Sequence, residues 1–380
     1  MTIHWCGTGL SAIPGLKRLI ELGYPVTVWN RTVSKAQEAI GSYTTDIRPF
    51  DLNALSDTLS QGDTVVSMLP GDWHVPLAKA AIGAGAHFVS SSYIAPEMRA
   101  LDMAAKEAGV VLMNEVGLDP GIDHLMAHHL VATYRASDAY DDANTVSFTS
   151  YCGGVPKHAN PFRYKFSWAP VGVLKALRSP SKSIRAGQEF DVARPWDAVS
   201  SYDAPLPTPE TFEVYPNRNS LPFMAEYNFD SKWQVKEFVR GTLRLNGWAD
   251  AWQDVFTEIE ANPTDERLQE MSDALLAENS YGPDEPDRVI MCVDLKAEND
   301  TGTAWHQTYA MDAWGDARGT AMARLVSIPV SLAVQAAQAG AVKPGVHAAP
   351  NDLQMVVNWM DEIDRLAQHL NIVDHMTGKS

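Results

Sequence analysis

Three groups of residues in this chain have types and spacing suited to chemistry. The first is Gly7-Thr8-Gly9-Leu10-Ser11-Ala12, a G-x-G-x-x-A pattern. Its glycines permit a tight turn and let the backbone approach a pyrophosphate. A helix beginning just after them would offer N–H groups and the positive end of its dipole. The second is Asn30-Arg31-Thr32, about twenty residues further on, where NAD enzymes usually carry an acid for the ribose 2′-hydroxyl. Here an acid is absent and a guanidinium is present, which suits the 2′-phosphate of NADP. The third is a charge asymmetry. The formal net charge is −17, yet Asn144 to Gln188 contains no Asp or Glu and carries Lys157, Arg163, Lys165, Lys175, Arg178, Lys182 and Arg185. Such a segment either holds an anionic ligand or forms a solvated basic face, and composition alone favours the face.

Other candidates are weaker. Asp119 and Asp123 follow the apolar run Val110-Val111-Leu112-Met113. That puts them at the carboxyl edge of a sheet, where ligands bind in doubly wound folds; Asp123 could equally cap the next helix. His124 and His128 have the i, i+4 spacing of a metal pair, but no third ligand is placed beside them, and no metal is expected. Cys6, Cys152 and Cys292 lie far apart without a CxxC pair, so neither a disulfide framework nor a structural zinc site is expected. The acidic balance argues against nucleic acid. No run approaches the about 20 apolar residues that span a bilayer, and the N-terminus lacks a secretory pattern. A cytoplasmic protein with small-molecule partners is expected; a homodimer stays open.

The elements that would position these groups alternate. Ile3 to Cys6 reads as a buried strand, Ser11 to Leu22 as a helix ended by Gly23, and Val26 to Trp29 as a second strand. Strands at Asp63 to Leu69, Ala86 to Ser90 and Val110 to Met113 enclose helices at Pro76 to Gly83 and Pro96 to Ala108. Such alternation implies βαβ units and a parallel sheet. The pattern changes after Asp123. A helix from about His124 to Tyr134 precedes a strand at Thr145 to Tyr151, which Gly153-Gly154-Val155-Pro156 should break. Arg194 to Pro222 is proline-rich and reads as irregular, Trp252 to Ile259 and Leu268 to Leu275 have helical spacing, and Val289 to Leu295 with Ala304 to Met311 forms a hairpin. Pro329 should kink or break a helix at Gly319 to Ala339.

Longer strings carry a resemblance. Asn114-Glu115-Val116-Gly117-Leu118-Asp119-Pro120-Gly121-Ile122-Asp123-His124 resembles the signature of saccharopine reductases, the NADP-dependent, L-glutamate-forming saccharopine dehydrogenases. Ser90 to Pro96, Ser150 to Gly154, Tyr164 to Trp168, Tyr215 to Arg218 and Val239 to Arg244 are similar to further blocks of that family. Leu10-Ser11 departs from the family's more usual Phe-Val, and the acidic segment from about Asp250 to Asp300 matches none of its blocks.

The resemblance implies an α/β fold, a Rossmann doubly wound parallel sheet with an inserted α+β substrate domain. Residues 1–125 plus about 345–380 would form the dinucleotide domain, and 126–344 the substrate domain, with a helical part at about 248–280. It implies NADPH-dependent reduction of the imine between 2-aminoadipate 6-semialdehyde and glutamate, or the reverse cleavage of saccharopine. With the glycine loop and Arg31, it places NADP against Gly7, Thr8, Gly9, Leu10, Asn30, Arg31, Thr32, Asp51, Leu69, Pro70, Leu118 and Asp123. It places the amino-acid substrate against Ser91, Ser92, Asp119, Cys152, Lys165, Arg218, Arg240 and Thr242, with Asp119 the catalytic group. Two other readings remain: a related NADP-dependent dehydrogenase acting on another amine or a hydroxy acid, and a non-catalytic NADP sensor.

Overall fold

The computed structural model describes residues 1–43, 46–168 and 170–376. In chain order the elements are β1 Ile3–Cys6, α1 Ile13–Glu21, β2 Val26–Asn30, α2 Val33–Ile40, β3 Ile47–Pro49, α3 Leu52–Thr58, β4 Thr64–Ser67, α4 His74–Ala84, β5 His87–Ser90, α5 Pro96–Arg99, α6 Asp102–Ala108, β6 Val111–Met113 and α7 Ile122–Ala136. There follow β7 Thr145–Pro156, α8 Pro170–Leu177, β8 Ser181–Arg185, β9 Gln188–Val192, β10 Ser200–Ala204, β11 Glu210–Pro216, α9 Pro222–Glu226, β12 Gln234–Leu245, α10 Trp248–Ala251, α11 Gln253–Glu260 and α12 Asp265–Glu278. The last are β13 Asp287–Asn299, β14 Gly302–Trp314, α13 Ala321–Gln338, β15 Gly345–His347, α14 Leu353–Asp364 and β16 His369–Asp374.

Two compact units emerge, Met1–Leu125 with Ala323–Ile363, and Met126–Met322 with Asp364–Ser380. The first contains a seven-stranded sheet in the order β15-β6-β5-β4-β1-β2-β3. Every pair in it is parallel. Parallel strands need crossovers and are covered on both faces, hence β1 and β4 are buried at every position, His4, Thr64 and Ser67 included. Order reverses between β1 and β4, the switch point of a Rossmann fold. Trp29, Leu55, Val65, Leu77, Phe88, Met98 and Leu112 fill a core of this unit.

The second unit is built on a mixed sheet whose main path is β10-β11-β12-β7-β13-β14-β16. Alternation divides its strands into two faces. Tyr151 and Val155 of β7, Phe212 and Val214 of β11, Val239 and Leu243 of β12, and Ile290 and Cys292 of β13 form one apolar cluster. Cys152, Tyr215, Arg240, Thr242 and Arg244 occupy the intervening positions and so face the other way. The acidic helices α11 and α12 bury Val255, Phe256, Ile259, Leu268 and Met271 in a further cluster with Trp248 and Trp252.

Four sequence expectations change. The chain returns to the first unit at Ala323, not near residue 345, and residues 364–380 belong to the second. In each case the cause is a contact with a segment distant in sequence. A side chain at Gly15 of α1 would put its Cβ 1.9 Å from the Ser327 carbonyl oxygen, so α13 and α1 touch backbone to backbone. β16 pairs antiparallel with β14 from Gln307–Asp374 to Asp312–His369, a long-range choice that a short strand does not announce. β7 runs unbroken through Gly153-Gly154; a Cβ at Gly153 would stand 2.2 Å from the Leu243 carbonyl, so glycine permits the close approach of β12 and does not end the strand. The segment read as irregular contains β10 and β11, paired from Ser200–Val214 to Ala204–Glu210; its prolines Pro205, Pro207 and Pro209 fall in or at the connection, where no ladder N–H is needed. Finally, Pro329 does not break α13, which is one helix from Ala321 to Gln338.

Candidate active site

In the first unit the sites named from sequence gather at the carboxyl ends of the parallel strands. β1 ends at Cys6 and the chain turns at Gly7, with φ +101°. A Cβ there would meet the Met68 carbonyl oxygen at 2.8 Å and Leu69 Cδ2 at 3.1 Å, whereas a Cβ at Gly9 would meet nothing within 4 Å. The first glycine is therefore demanded by the fold, and the second leaves open space beside the backbone, as a pyrophosphate requires. Asn30 holds the loop: its Oδ1 accepts from the Thr8 N–H at 3.3 Å, and its Nδ2 donates to the Thr32 carbonyl at 2.8 Å. Arg31 stands exposed between them, and Leu10 is 59% exposed.

The start of α1 offers less than its sequence suggests. Pro14 has no N–H, and the Gly15 N–H donates to Ser327 Oγ at 2.8 Å. Anion recognition thus falls mainly on the loop itself. The residues present fit a dinucleotide: a backbone cradle without side chains, a free face at Gly9, and a cation instead of an acid after β2. Leu69 and Pro70 follow β4, and Asp51 follows β3, where its carboxylate caps α3 by accepting from the Ala54 N–H at 2.8 Å.

Beside this loop lies a buried polar chain that sequence reading passed over. Ser67 Oγ, at the end of β4, is 2.8 Å from His74 Nδ1, and His74 Nε2 is 2.8 Å from Ser92 Oγ, just past β5. Burial lowers the His74 pKa to about 4, against a weaker opposing pull from Asp72, so the imidazole is neutral and has a hydroxyl at each nitrogen. Ser91 packs against Gly117, where a Cβ would approach the Ser91 Cβ at 2.9 Å.

The string from Asn114 to His124 forms the next loop. Glu115 is buried at φ +55°. One of its oxygens accepts from the Ile94 N–H at 2.8 Å, and the other lies 3.1 Å from His124 Nε2. Asp123 is fully buried, and its Oδ1 accepts from the Gly121 N–H at 2.7 Å; it closes the loop at the start of α7. Leu118 is buried in the same turn. Asp119 is half-buried, and its Oδ1 accepts from Tyr93 OH at 3.0 Å. His124 thus serves Glu115, while His128 packs edge-on against Tyr227. Among the described residues, the cluster with metal-ligand geometry is Asp294, His306 and His375, not the i, i+4 pair.

In the second unit, β11 and β12 bring Arg218 and Arg240 together. Pro216 lies opposite Gly241, and the Asn217 N–H donates to the Arg240 carbonyl at 2.9 Å. Arg218 is exposed on the turn at φ +55°. Arg240 is buried, its guanidinium 3.9 Å from the centre of the Phe223 ring. Thr242 lies opposite Cys152 across the parallel pair of β12 and β7. Lys165 is held elsewhere: its Nζ is 2.5 Å from Glu285 Oε2. The acid-free segment is likewise neutralised by acids from other parts of the chain, with Lys175 and Arg178 on Asp265 and Lys182 on Glu189 and Asp191. Most of its charge is thus a paired surface feature. Arg244, two residues past Thr242 on the same face, was missed as a candidate; the alternation Arg240-x-Thr242-x-Arg244 was the available signal.

A Rossmann unit with a dinucleotide cradle is joined in sequence to a mixed-sheet unit that carries Arg218 and Arg240. Residues 117–366 match the saccharopine dehydrogenase C-terminal domain and residues 7–113 the saccharopine dehydrogenase NADP binding domain. The chain belongs to the saccharopine dehydrogenase family. It is 37% identical over 250 residues to the saccharopine dehydrogenase [NADP(+), L-glutamate-forming] of Pyricularia oryzae, covering 64% of this chain and 54% of that protein. It is 27% identical over 409 residues to the mitochondrial alpha-aminoadipic semialdehyde synthase of Mus musculus, covering 87% of this chain and 43% of that one. The chain spans about half the length of the curated relatives it matches. The solved apo saccharopine dehydrogenase (L-Glu forming) from Saccharomyces cerevisiae superposes with a TM-score of 0.79 at 25% identity, covering 98% of this chain and 99% of that one. A homospermidine synthase from Legionella pneumophila shares the fold at a TM-score of 0.68 and 12% identity.

Proposed function

We propose that this protein is an NADP-dependent oxidoreductase that interconverts saccharopine with glutamate and 2-aminoadipate 6-semialdehyde. The first unit is the cofactor domain and the second the substrate domain. The observation that carries this reading is Asp119, a carboxylate tethered by Tyr93 OH at the ligand-binding edge of the Rossmann sheet. NADPH, when bound, supplies the hydride. The carbon that receives it is made electrophilic by protonation of the imine, and Asp119 stabilises that cation. The Tyr93 hydrogen bond keeps the carboxylate oriented before substrate arrives, so no reorganisation is needed at the moment of reaction.

Arg31 is assigned to the 2′-phosphate of NADP. Arg218 and Arg240 are assigned to one substrate carboxylate, for which a guanidinium supplies a two-pronged donor. Thr242 and Cys152 of the second unit, and Ser91 and Ser92 of the first, are likewise assigned to the substrate, as is Lys165, which is tied to Glu285. A strongly anionic protein repels a polyanion, so a local cationic site is needed to reverse the field.

The test is NADP+ reduction by the purified protein, with saccharopine compared against simple secondary amines and β-hydroxy acids. Saccharopine-dependent reduction supports the assignment. Turnover of a hydroxy acid alone, or tight NADP binding without turnover of any of these compounds, would replace it.

A further inference from the structure

We propose that Asp294, His306 and His375 form a binding site for one divalent transition-metal ion, on the opposite face of the mixed sheet from the residues assigned to the substrate. The three side chains come from β13, from β14 and from the residue just past β16. Asp294 Oδ2 is 2.7 Å from His306 Nε2 and accepts from the Thr308 hydroxyl at 2.5 Å; that hydroxyl is in turn 2.8 Å from His375 Nε2. One nitrogen of each imidazole and one carboxylate oxygen thus converge, all within 4.8 Å of one another. The three residues are far apart in the chain, so no spacing in the sequence announces them.

Strand pairing fixes the arrangement. Asp294 lies opposite Thr308 and Lys296 opposite His306 in the β13–β14 hairpin, and Thr308 lies opposite Val373 across β14 and β16. The His375 N–H donates to the His306 carbonyl at 3.1 Å, one step beyond that ladder. The two imidazoles therefore stand side by side, with ring centres 4.0 Å apart and planes 18° from parallel. Asp294 is two residues past Cys292 and shares its face of the sheet, whereas Cys152 lies opposite Met291 and points the other way. An ion held here is separate from the assigned substrate residues and takes no part in hydride transfer. Its role is to fasten β16 to the hairpin.

The donor set selects the ion. Two imidazole nitrogens with one carboxylate suit Zn2+ and its transition-metal neighbours, whereas Mg2+ and Ca2+ take oxygen ligands. Three protein ligands leave the fourth position of a tetrahedral zinc to water. With bonds of about 2.1 Å, tetrahedral ligand atoms stand about 3.4 Å apart. The close pair must open slightly and the widest must close, which the exposed His375 ring achieves by rotating out of its stack while its backbone stays in the ladder. Thr308 orients the Asp294 carboxylate from outside the ligand set, as partners of metal ligands do. Lys296, opposite His306, is 2.6 Å from Glu298 Oε1, so its charge is offset.

The experiment is calorimetry with ZnCl2, and separately with MgCl2, on the full chain without a histidine tag and stripped by chelator. Wild type is compared with Asp294→Asn, His306→Gln and His375→Ala, and with His369→Ala, which removes another imidazole of β16. Wild type should bind one Zn2+ per chain and bind Mg2+ far more weakly. Each of the three ligand variants should lose about a hundredfold in zinc affinity, since even partners of ligands are worth about ten- to a hundredfold; His369→Ala should lose none. Zinc at a hundredfold excess over its Kd should raise the wild-type unfolding midpoint by about 5 °C, because it binds the folded chain, and should leave that of His375→Ala unchanged. Metal-free His375→Ala should bind NADPH as wild type does. Absence of zinc binding, magnesium binding as tight as zinc, or a loss below tenfold in any folded ligand variant overturns the site. If one variant fails to fold, the other two decide.

Discussion

The His74 relay makes stability depend on pH in a way that can be isolated. Its imidazole is 2.8 Å from both Ser67 and Ser92 hydroxyls, and burial lowers its pKa from 6.5 to about 4. The unfolded chain therefore takes up a proton near pH 6.5 that the folded protein refuses until about pH 4. Stability from this residue is complete above pH 6.5 and lost progressively as pH falls through that window. At 1.36 kcal/mol per pH unit, the gap is worth about 3 kcal/mol. Urea unfolding of the wild type and of His74→Gln at pH 7.5, 6, 5 and 4 separates this from the other histidines, which titrate in both. The wild type should lose about 3 kcal/mol more than the variant between about pH 7 and pH 4. Parallel curves would show that His74 is not held neutral by its site.

Three further outcomes follow from the site. Arg31→Ala should erode the preference for NADPH over NADH, mainly through NADPH binding; an unchanged ratio of kcat/KM for the two cofactors would remove Arg31 from the 2′-phosphate. Asp119→Asn keeps size and can still accept from Tyr93, but lacks the charge, so kcat/KM should fall about a hundredfold with NADPH affinity near wild type; full activity would reduce Asp119 to a loop residue. Gly15→Ala forces a Cβ to within 1.9 Å of the Ser327 carbonyl and should cost about 3 kcal/mol or more in thermal or urea unfolding, the upper range for overpacking; a neutral effect would mean that α1 and α13 do not touch as described.

Local signals carried the first unit well. β1, the glycine loop and β2 are specified by short, mainly apolar segments and by backbone constraints at Gly7, so the cradle and Asn30-Arg31-Thr32 could be read in order. The hairpin of β13 and β14 was equally legible, because its two strands and turn are adjacent in the chain. What escaped was long-range. The destination of β16, the helix contact at Gly15 and the run of β7 through Gly153-Gly154 each depend on a partner far away in sequence. The glycine that reads as a break is, in the fold, the reason two strands can lie close. His74 belongs to no periodic pattern, and its role appears only when β4 and β5 bring Ser67 and Ser92 to its two nitrogens. The basic segment misled in the other direction, since the acids that neutralise Lys165, Lys175, Arg178 and Lys182 come from Glu285, Asp265, Glu189 and Asp191.

Hydride transfer to the imine carbon is best followed with NADPH carrying deuterium at the transferable position, incubated with 2-aminoadipate 6-semialdehyde and glutamate. Mass analysis should show saccharopine heavier by one deuterium, formed in step with NADPH oxidation and dependent on both amino-acid substrates. NADPH binding without labelled saccharopine, or label appearing in a hydroxy acid instead, would contradict the assignment of this chain as a saccharopine-forming dehydrogenase.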